Sequence, residues 1–387
     1  MTPAPRVAHL AHTTVAGGAE LGLARMLRAD PPWSASVLLP PDPAEDGAFA
    51  GLPASIPIHR IGVAQPYGAS GASPGSAFAV GVRLLAQAVA TRRHRSFREA
   101  DLVVANSTRA AAYGVLAVAG SRKPFLVYLH DIMDRETLGG FGLQMMTRVV
   151  LPRADGVIAN SQATLASAEP HLRQGAVREV MAGASGLTGR PRGAREPGPL
   201  RVGMLARIDP WKGQLLLLDA FARAFGDGDE ILEFAGGAPF GHADYAEALR
   251  DRAEALGLAD RVRLLGHVDD VASLLRRWDV GVQASMRVEP LGFNVLEYLD
   301  AGLATVVAAE GGPVEWVRDG VNGLAVAPRD AAALAAALRR LGADDALRAR
   351  LSAAAPKTPG LATDHAVAES HAEAYRRVLA NRLGHRG

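Results

Sequence analysis

Short apolar runs alternate with helix-period segments along the whole of this 387-residue chain, and that alternation restricts its possible folds more than any other feature. RVAHLA (6–11), SASVLL (34–39), DLVVAN (101–106), FLVYLH (125–130) and DGVIAN (155–160) read as strands. Helical stretches lie between several of them, over 19–29, 76–95, 109–119 and 142–151. The pattern resumes in LRVGMLA (200–206), EILEFAG (230–236), RVRLLG (261–266), DVGVQA (279–284) and ATVVAA (304–309). Strands separated by helices pair in parallel, with helices on both faces. Parallel strands buried on both faces are continuously apolar, as these are. The expected class is α/β, with two doubly wound parallel sheets facing each other across a cleft.

The halves separate at 183–199, a Gly-, Pro- and Arg-rich segment without periodicity that reads as a linker. This gives domains over 1–182 and 200–364, followed by a final helix within 365–387. A Gly/Ser-rich loop, 65–76, lies inside the first half. There is no tandem repeat, but DLVVANSTRAA (101–111) is echoed by DGVIANSQAT (155–164), two strand–turn–helix units with Ser or Asn in capping positions.

Composition removes several functional classes. The chain has no cysteine, which excludes disulfides, cysteine nucleophiles and thiolate metal sites. Its 42 basic and 40 acidic residues nearly cancel, so it is not polybasic. Only Lys123, Lys212 and Lys357 are lysines, the arginine-heavy usage of a GC-rich genome. No run reaches the roughly 20 apolar residues of a membrane span, and no targeting signal is visible. The expectation is a bacterial, cytoplasmic protein. Val82–Arg98 joins apolar periodicity to Arg92, Arg93, Arg95 and Arg98, which suits either a plain surface helix or peripheral contact with anionic lipid.

Open parallel sheets bind ligands beyond the carboxyl ends of their strands, so the strand-to-helix turns carry the chemistry. After the first strand, Gly17 and Gly18 precede a helix, where backbone amides can approach an anion. After the first strand of the second half, Arg207 and Lys212 flank Ile208-Asp209-Pro210-Trp211. Two cations at a helix start do nothing for helix stability but suit a polyanion such as a diphosphate. The third feature is Glu289-Pro290-Leu291-Gly292-Phe293-Asn294-Val295-Leu296-Glu297. The helix is expected to begin near Phe293, leaving amides at its start for phosphate and two carboxylates for hydroxyl groups.

Together these features resemble the retaining glycosyltransferases of the GT-B fold, family 4. The likeness runs nearly end to end. It is strongest in ARIDPWKG (206–213), EPLGFNVLE (289–297) and GGPVEWVRDGVNGLAV (311–326), with GGAE (17–20), YLHD (128–131) and ADGVIANS (154–161) in order. The resemblance implies Rossmann-like domains, the first on the acceptor side, the second binding a nucleotide sugar, and a last helix returning to the first. It implies that Arg207 and Lys212 hold the donor diphosphate, with Gly17 and Gly18 approaching it. Glu297 would bind the ribose and Glu289 the donor sugar, with Leu291, Gly292, Phe293 and Asn294 around sugar and phosphate. Gly266, His267 and Val268 would face the base. His130 would contact the donor sugar at the reacting centre, and His12 is a weaker candidate beside the cleft. Tyr298 and Asp300 depart from the family's usual EAMAxG.

The reaction so implied moves a hexose-type sugar from a UDP- or GDP-sugar to a small-molecule, glycan or lipid-linked hydroxyl, with retention and with neither cofactor nor metal. Asp227-Gly228-Asp229 has the spacing of a metal-binding DxD, but it lies at the wrong end of a strand for a ligand and reads as a polar turn. Rivals are a nucleotide-sugar 2-epimerase of the same architecture and an idle nucleotide-sugar-binding or membrane-docking protein. A dinucleotide dehydrogenase is disfavoured by the lack of GxGxxG with an acidic partner.

Overall fold

The computed structural model of the chain describes residues 4–15, 17–41, 47–64, 74–188, 198–238 and 242–384. Most of the 65–76 loop and residues 189–197 of the linker lie outside that set. Two compact units are formed: Met1–Ala184 with Asp364–Gly387, and Ser185–Thr363.

The first unit runs β1 (Arg6–Leu10), α1 (Gly18–Arg28), β2 (Ser34–Leu39), β3 (Ile58–Arg60), α2 (Pro74–Arg93), α3 (Arg95–Glu99) and β4 (Leu102–Ala105). It continues with α4 (Thr108–Val118), β5 (Phe125–Leu129), α5 (Arg135–Met145), β6 (Gly156–Ala159), α6 (Gln162–Ala168) and β7 (Val177–Val180). Its strands form one parallel sheet in the order β3-β2-β1-β4-β5-β6-β7.

The second unit begins with β8 (Arg201–Leu205), α7 (Gln214–Phe225), β9 (Ile231–Ala235), α8 (Ala243–Ala255), β10 (Val262–Gly266) and α9 (Val271–Arg277). Then come β11 (Val280–Gln283), α10 (Phe293–Asp300), β12 (Ala304–Ala308), α11 (Pro313–Trp316), β13 (Leu324–Val326), α12 (Ala331–Ala343) and α13 (Asp345–Ala354). Its parallel sheet has the order β10-β9-β8-β11-β12-β13. The last helix, α14 (Asp364–Gly384), belongs to the first unit.

Register at the strand entrances is set by one device used three times. Asp101 Oδ2 accepts from the Arg6 N–H at 2.8 Å, Asp155 Oδ2 from Phe125 at 2.9 Å, and Asp279 Oδ2 from Arg201 at 2.8 Å. Each aspartate's own N–H donates to the carbonyl of that same neighbour, at 2.8, 2.7 and 2.9 Å. Two bonds from one residue clamp the start of a strand to the one beside it. In the 101–111 and 155–164 echo the serines do what their place suggests: Ser107 accepts from the Ala110 N–H and Ser161 from the Thr164 N–H.

Three strands escape the sequence pattern: β3 (IHR) and β7 (VREV) are interrupted by polar residues, and β13 (LAV), though apolar, is only three residues long. All three close an edge of a sheet and are only partly buried, so one neighbour and a mixed composition suffice. The helix expected over 142–151 starts earlier. Asp134 caps α5 by accepting from the Thr137 N–H at 2.7 Å, and the chain passes into a wider turn over Met146–Val150. The basic stretch 82–98 is two helices, because His94 ends α2 and caps α3 through Ser96 N. Val82, Leu85 and Val89 are exposed along α2. Of the arginines there, Arg92 is spent on the Ala117 and Ala119 carbonyls, and Arg95 on Glu99 at 2.7 Å. Among the described residues no helix is long and apolar enough to cross a membrane.

The departures at Tyr298 and Asp300 are structural. Gly281 has no Cβ to obstruct the Tyr298 ring, which would lie 2.6 Å from one, and the Tyr298 hydroxyl accepts from the Leu205 N–H at 2.7 Å. Asp300 accepts from the Ser185 hydroxyl and, at 2.8 Å, from Thr188 Oγ1. Ser185–Thr188 of the expected linker are therefore held within the second unit rather than hanging free, while Gly183 and Ala184 belong to the first.

Candidate functional site

Strand order reverses between β8 and β11 in the second sheet, and such a reversal opens a crevice at the carboxyl ends of the two strands. The loops that follow these strands carry ARIDPWKG and EPLGFNVLE. Asp209 accepts from the Trp211 N–H at 3.2 Å and folds the first loop into a short helical turn, Pro210–Lys212. Gly213 follows at φ 79°, where a Cβ would sit 1.9 Å from the Ala284 carbonyl oxygen. Only glycine allows this left-handed conformation and this approach. The Met286 N–H donates to the Trp211 carbonyl at 2.6 Å, stitching the two loops together.

Across that seam Lys212 Nζ donates to Glu289 Oε2 at 2.7 Å. The same ammonium lies 3.8 Å from the centroid of the Trp211 ring, a cation–π contact. Ser285 Oγ donates to the same Glu289 oxygen, also at 2.7 Å. Ser285 and Glu289 are both buried. Two donors on Oε2 fix the carboxylate in one orientation. Nothing in the sequence pattern distinguishes Ser285; its only signal is its position one residue past the strand-end Ala284. The role of Trp211 as a platform for Lys212 was equally hidden inside the motif.

The EPLG loop is pressed from behind by Gly311 and Gly312. The Gly312 N–H donates to the Glu289 carbonyl at 2.9 Å, and a Cβ on Gly312 would stand 2.2 Å from the Pro290 carbonyl oxygen. This close packing explains the glycine pair in GGPVEW. Gly292, at φ 75°, leads into α10, which starts at Phe293 as its sequence predicts. Leu291 is buried, and Glu297 lies one turn into α10 and is also buried. Asn294 Nδ2 donates to the Tyr298 hydroxyl at 3.3 Å.

Arg207 sits on the same loop as Lys212, its guanidinium 3.9 Å from Asp209 and its carbonyl bound by the buried Gln214 at 2.7 Å. Gly266 ends β10 at φ 67°. His267 is exposed and pairs with the exposed Asp269 at 3.2 Å, while Val268 packs into the apolar cluster around Trp278 and Tyr298. Asp227–Asp229 lies between α7 and the entrance of β9. Among the described residues no group of three His, Asp or Glu side chains could hold a metal.

The first sheet reverses between β1 and β4. Gly17 is the N-cap of α1 without a side-chain bond, and Gly18 is its first residue. The carboxylate of Glu20 folds back beside Gly17, and a Cβ there would meet Glu20 Oε2 at 2.8 Å. His12 Nδ1 lies 2.9 Å from Ser107 Oγ and 3.6 Å from Glu20 Oε1, which ties it to both sides of the reversal. Thr108 Oγ1 donates to Asp131 Oδ2 at 3.2 Å; burial raises the carboxyl pKa of Asp131 despite this bond.

His130 follows β5, with its ring 4.1 Å from that of Tyr128. Burial, and then the neighbouring His371, lower its pKa to about 3. At neutral pH it is an uncharged imidazole, suited to hydrogen bonding rather than to donating a proton as an acid. The sequence did not foresee its surroundings. His371 of α14 is 5.1 Å from Tyr128, and His9 is 6.0 Å from Trp33 and 6.2 Å from Tyr375.

Two family models match the chain: glycosyl transferases group 1 over residues 189–358, and Glycosyltransferase Family 4 over 40–177. A D-inositol 3-phosphate glycosyltransferase of Geodermatophilus obscurus is 38% identical over 178 residues, 44% of this chain and 39% of that protein. The lipopolysaccharide core biosynthesis glycosyltransferase LpsE of Rhizobium meliloti is 38% identical over 112 residues, 29% of this chain and 33% of its own. These matches span well under two thirds of the relatives' length. Among solved structures, Anabaena Alr3699/HepE in complex with UDP and glucose is similar, with a TM-score of 0.77 and 25% identity over 96% of this chain and 99% of that one. A sucrose-phosphate synthase from Thermosynechococcus elongatus shares the fold, with a TM-score of 0.79 at 20% identity over 97% of this chain and 99% of its own. The pair of parallel α/β sheets is the GT-B architecture.

Proposed function

The chain belongs to the glycosyltransferase family that these two models describe, and we propose that it moves a hexose-type sugar from a nucleoside diphosphate to an acceptor hydroxyl with retention of configuration. The observation that carries this reading is the meeting of Lys212, Glu289 and Ser285 at the β8/β11 reversal. A cation and the start of α10 there suit the diphosphate of a nucleotide sugar, and the oriented carboxylate suits its sugar hydroxyls. Lys212 and Arg207 take the diphosphate, with the amides at Phe293 and Asn294 adding the positive end of the helix. Glu289 takes sugar hydroxyls and Glu297 the ribose. Charge grows on the diphosphate as the bond to the sugar breaks, so these groups hold the transition state more tightly than the ground state. The acceptor attacks from the same face, and fixed cations serve where other folds use a metal. Uridine is the favoured base, on the strength of the Anabaena protein's complex with UDP-glucose.

A panel of UDP-, GDP- and dTDP-sugars tests the donor site by thermal shift. At 100-fold excess over Kd a bound donor stabilises by about 2.7 kcal/mol, a displacement of several degrees. If no nucleoside diphosphate or its sugar moves the transition, the donor assignment is wrong. A 2-epimerase would instead release a free epimer with no acceptor added, and an idle binder would shift without turnover.

Ser285 gives a second expectation. Ser285→Ala deletes one of the two bonds on Glu289 Oε2, a charge-assisted hydrogen bond of about 1.5–3 kcal/mol. The specificity constant kcat/KM falls roughly tenfold or more with little change in melting temperature, and Ser285→Thr recovers most of it. Equal kcat/KM in wild type and Ser285→Ala would leave Ser285 a packing residue only.

A further inference from the structure

Two residues other than glycine have a left-handed backbone among those described, Asp30 at φ 53° and Arg329 at φ 59°. Aspartate tolerates that region because its short side chain can bond locally, whereas arginine has no such local help. A strained residue persists only where its surroundings hold it, and such residues gather at functional sites. Arg329 is the third residue past the end of β13, at the carboxyl edge of the second sheet, the edge that carries the site.

What holds it is Glu310, the second residue past the end of β12. Arg329 Nη2 donates to Glu310 Oε2 at 2.9 Å and Nη1 donates to Oε1, a fork closed on one carboxylate. The Glu310 side chain is 18% exposed, so this pair is set into the rim of the sheet rather than standing free in solvent. The Met286 carbonyl oxygen lies 3.5 Å from Nη1, longer than a good hydrogen bond but within the pull of the charge.

Both contacts bear on Glu289. Glu310 leads directly into Gly311 and Gly312, and the Gly312 N–H donates to the Glu289 carbonyl at 2.9 Å, the oxygen from which a Cβ on Gly311 would stand 2.4 Å. At the other end of the loop, the Met286 N–H donates to the Trp211 carbonyl. One guanidinium thus bears on residue 286 directly and on residue 289 through the 310–312 turn. Lys212 and Ser285 orient the Glu289 carboxylate, and Arg329 braces the backbone that carries it. We propose that Arg329, acting through Glu310, is a positioning residue for Glu289. This rests on the glycosyl-transfer reading, in which Glu289 takes the sugar hydroxyls. Arg329 acts on how often that carboxylate is aligned, so its loss appears in kcat more than in donor KM.

The test compares the full chain with Arg329→Gly. Glycine adopts φ 59° freely, so this variant removes the fork and the strain together and keeps its melting temperature. Hydrogen exchange is read at the Met286 and Gly312 amides, whose bonds bracket the loop, and is expected to be roughly fivefold faster in the variant. Release of UDP from UDP-glucose, with water as the acceptor, is expected to lose roughly fivefold in kcat with little change in KM. Glu310→Gln, which keeps the shape of the acid but not its charge, gives a smaller loss of the same kind. The double variant is no worse than Arg329→Gly alone, because the two residues act as one unit. If Arg329→Gly does not fold, Glu310→Gln carries the same two measurements. Unchanged exchange, wild-type kcat in a folded variant, or losses that add in the double variant overturn the proposal. Melting shifts of the wild-type chain with UDP-glucose separate the two failures. A preserved nucleotide shift with unchanged exchange in the variant sinks only the role of Arg329, whereas faster exchange without any nucleotide shift in the wild type sinks the glycosyl-transfer reading.

Discussion

Lys212→Ala lowers turnover by roughly 10²–10³-fold, the effect of removing one preorganised charge-stabilising group from an acyl-transfer site. The size follows from how tightly the ammonium is placed. It is held between the Trp211 ring at 3.8 Å and Glu289 Oε2 at 2.7 Å, with 18% of its side chain exposed. Its position is set before any diphosphate arrives, so little reorganisation is needed as charge develops. Removing it also leaves the Glu289 carboxylate with Ser285 as its one remaining side-chain donor among the described residues. Lys212→Arg is a poor substitute, because a planar fork cannot reproduce a point charge centred over the ring. The check is steady-state transfer by a variant whose circular dichroism and melting match wild type. A folded Lys212→Ala protein that transfers sugar at near wild-type rates removes Lys212 from the donor site.

Acid destabilises the first unit steeply. His9 and His130 have pKa values lowered to about 3 and His371 to about 4, each mainly by burial and the first two also by His371. Their neighbours offer no compensating anion: Trp33, Tyr128 and Tyr375 are neutral, Trp33 Nε1 donates to His9 Nε2 at 3.1 Å, and His371 Nδ1 is bonded to the Val367 carbonyl at 2.8 Å. The nearby carboxylates Glu179 and Asp155 are already paired with Arg377 and with Arg173 and Arg382. Unfolded histidines bind protons near pH 6.5, whereas these do so only near 3–4. Below pH 6.5 the unfolded chain thus holds about three more protons, and stability drops by about 4 kcal/mol per pH unit. Set against a typical total of 5–15 kcal/mol, that exhausts the unit within a few pH units. The melting temperature should be level from pH 8 to 7 and collapse between 6 and 4, with most of the fall before carboxylates begin to titrate. His371→Gln removes one of the three groups and flattens the slope. A melting temperature that stays constant down to pH 4 would falsify this account.

What could be read from the sequence was set by how local each signal is. The apolar runs gave nine central strands, because parallel strands buried on both faces are apolar without interruption, and one edge strand, β10. β3, β7 and β13 escaped because an edge strand needs neither length nor apolar continuity. The loop motifs marked Lys212 and Glu289 but could not show that they meet, since residues 77 apart are joined only by the strand order. Ser285 was unreadable for another reason: Glu289 is only four residues on, but only the folding of that loop brings the hydroxyl onto the carboxylate. Tyr298 and Asp300 looked like minor departures and turned out to have work in the fold, one under Gly281 and the other gripping Ser185 and Thr188.

The last helix belongs to the unit that starts the chain, with the whole second unit encoded between them. Ribosomes make proteins from the amino end, so β1 to β7 emerge and can pair long before α14 exists. Until residues 364–384 are released, the sheet face bearing His9 and Tyr128 lacks its His371 and Tyr375 cover, and Gly156 lacks the Val378 side chain that packs onto it. The second unit is contiguous and complete by Thr363. The half begun first is therefore completed only after the second unit has been made, and until residues 364–384 emerge its aromatic surface stays uncovered.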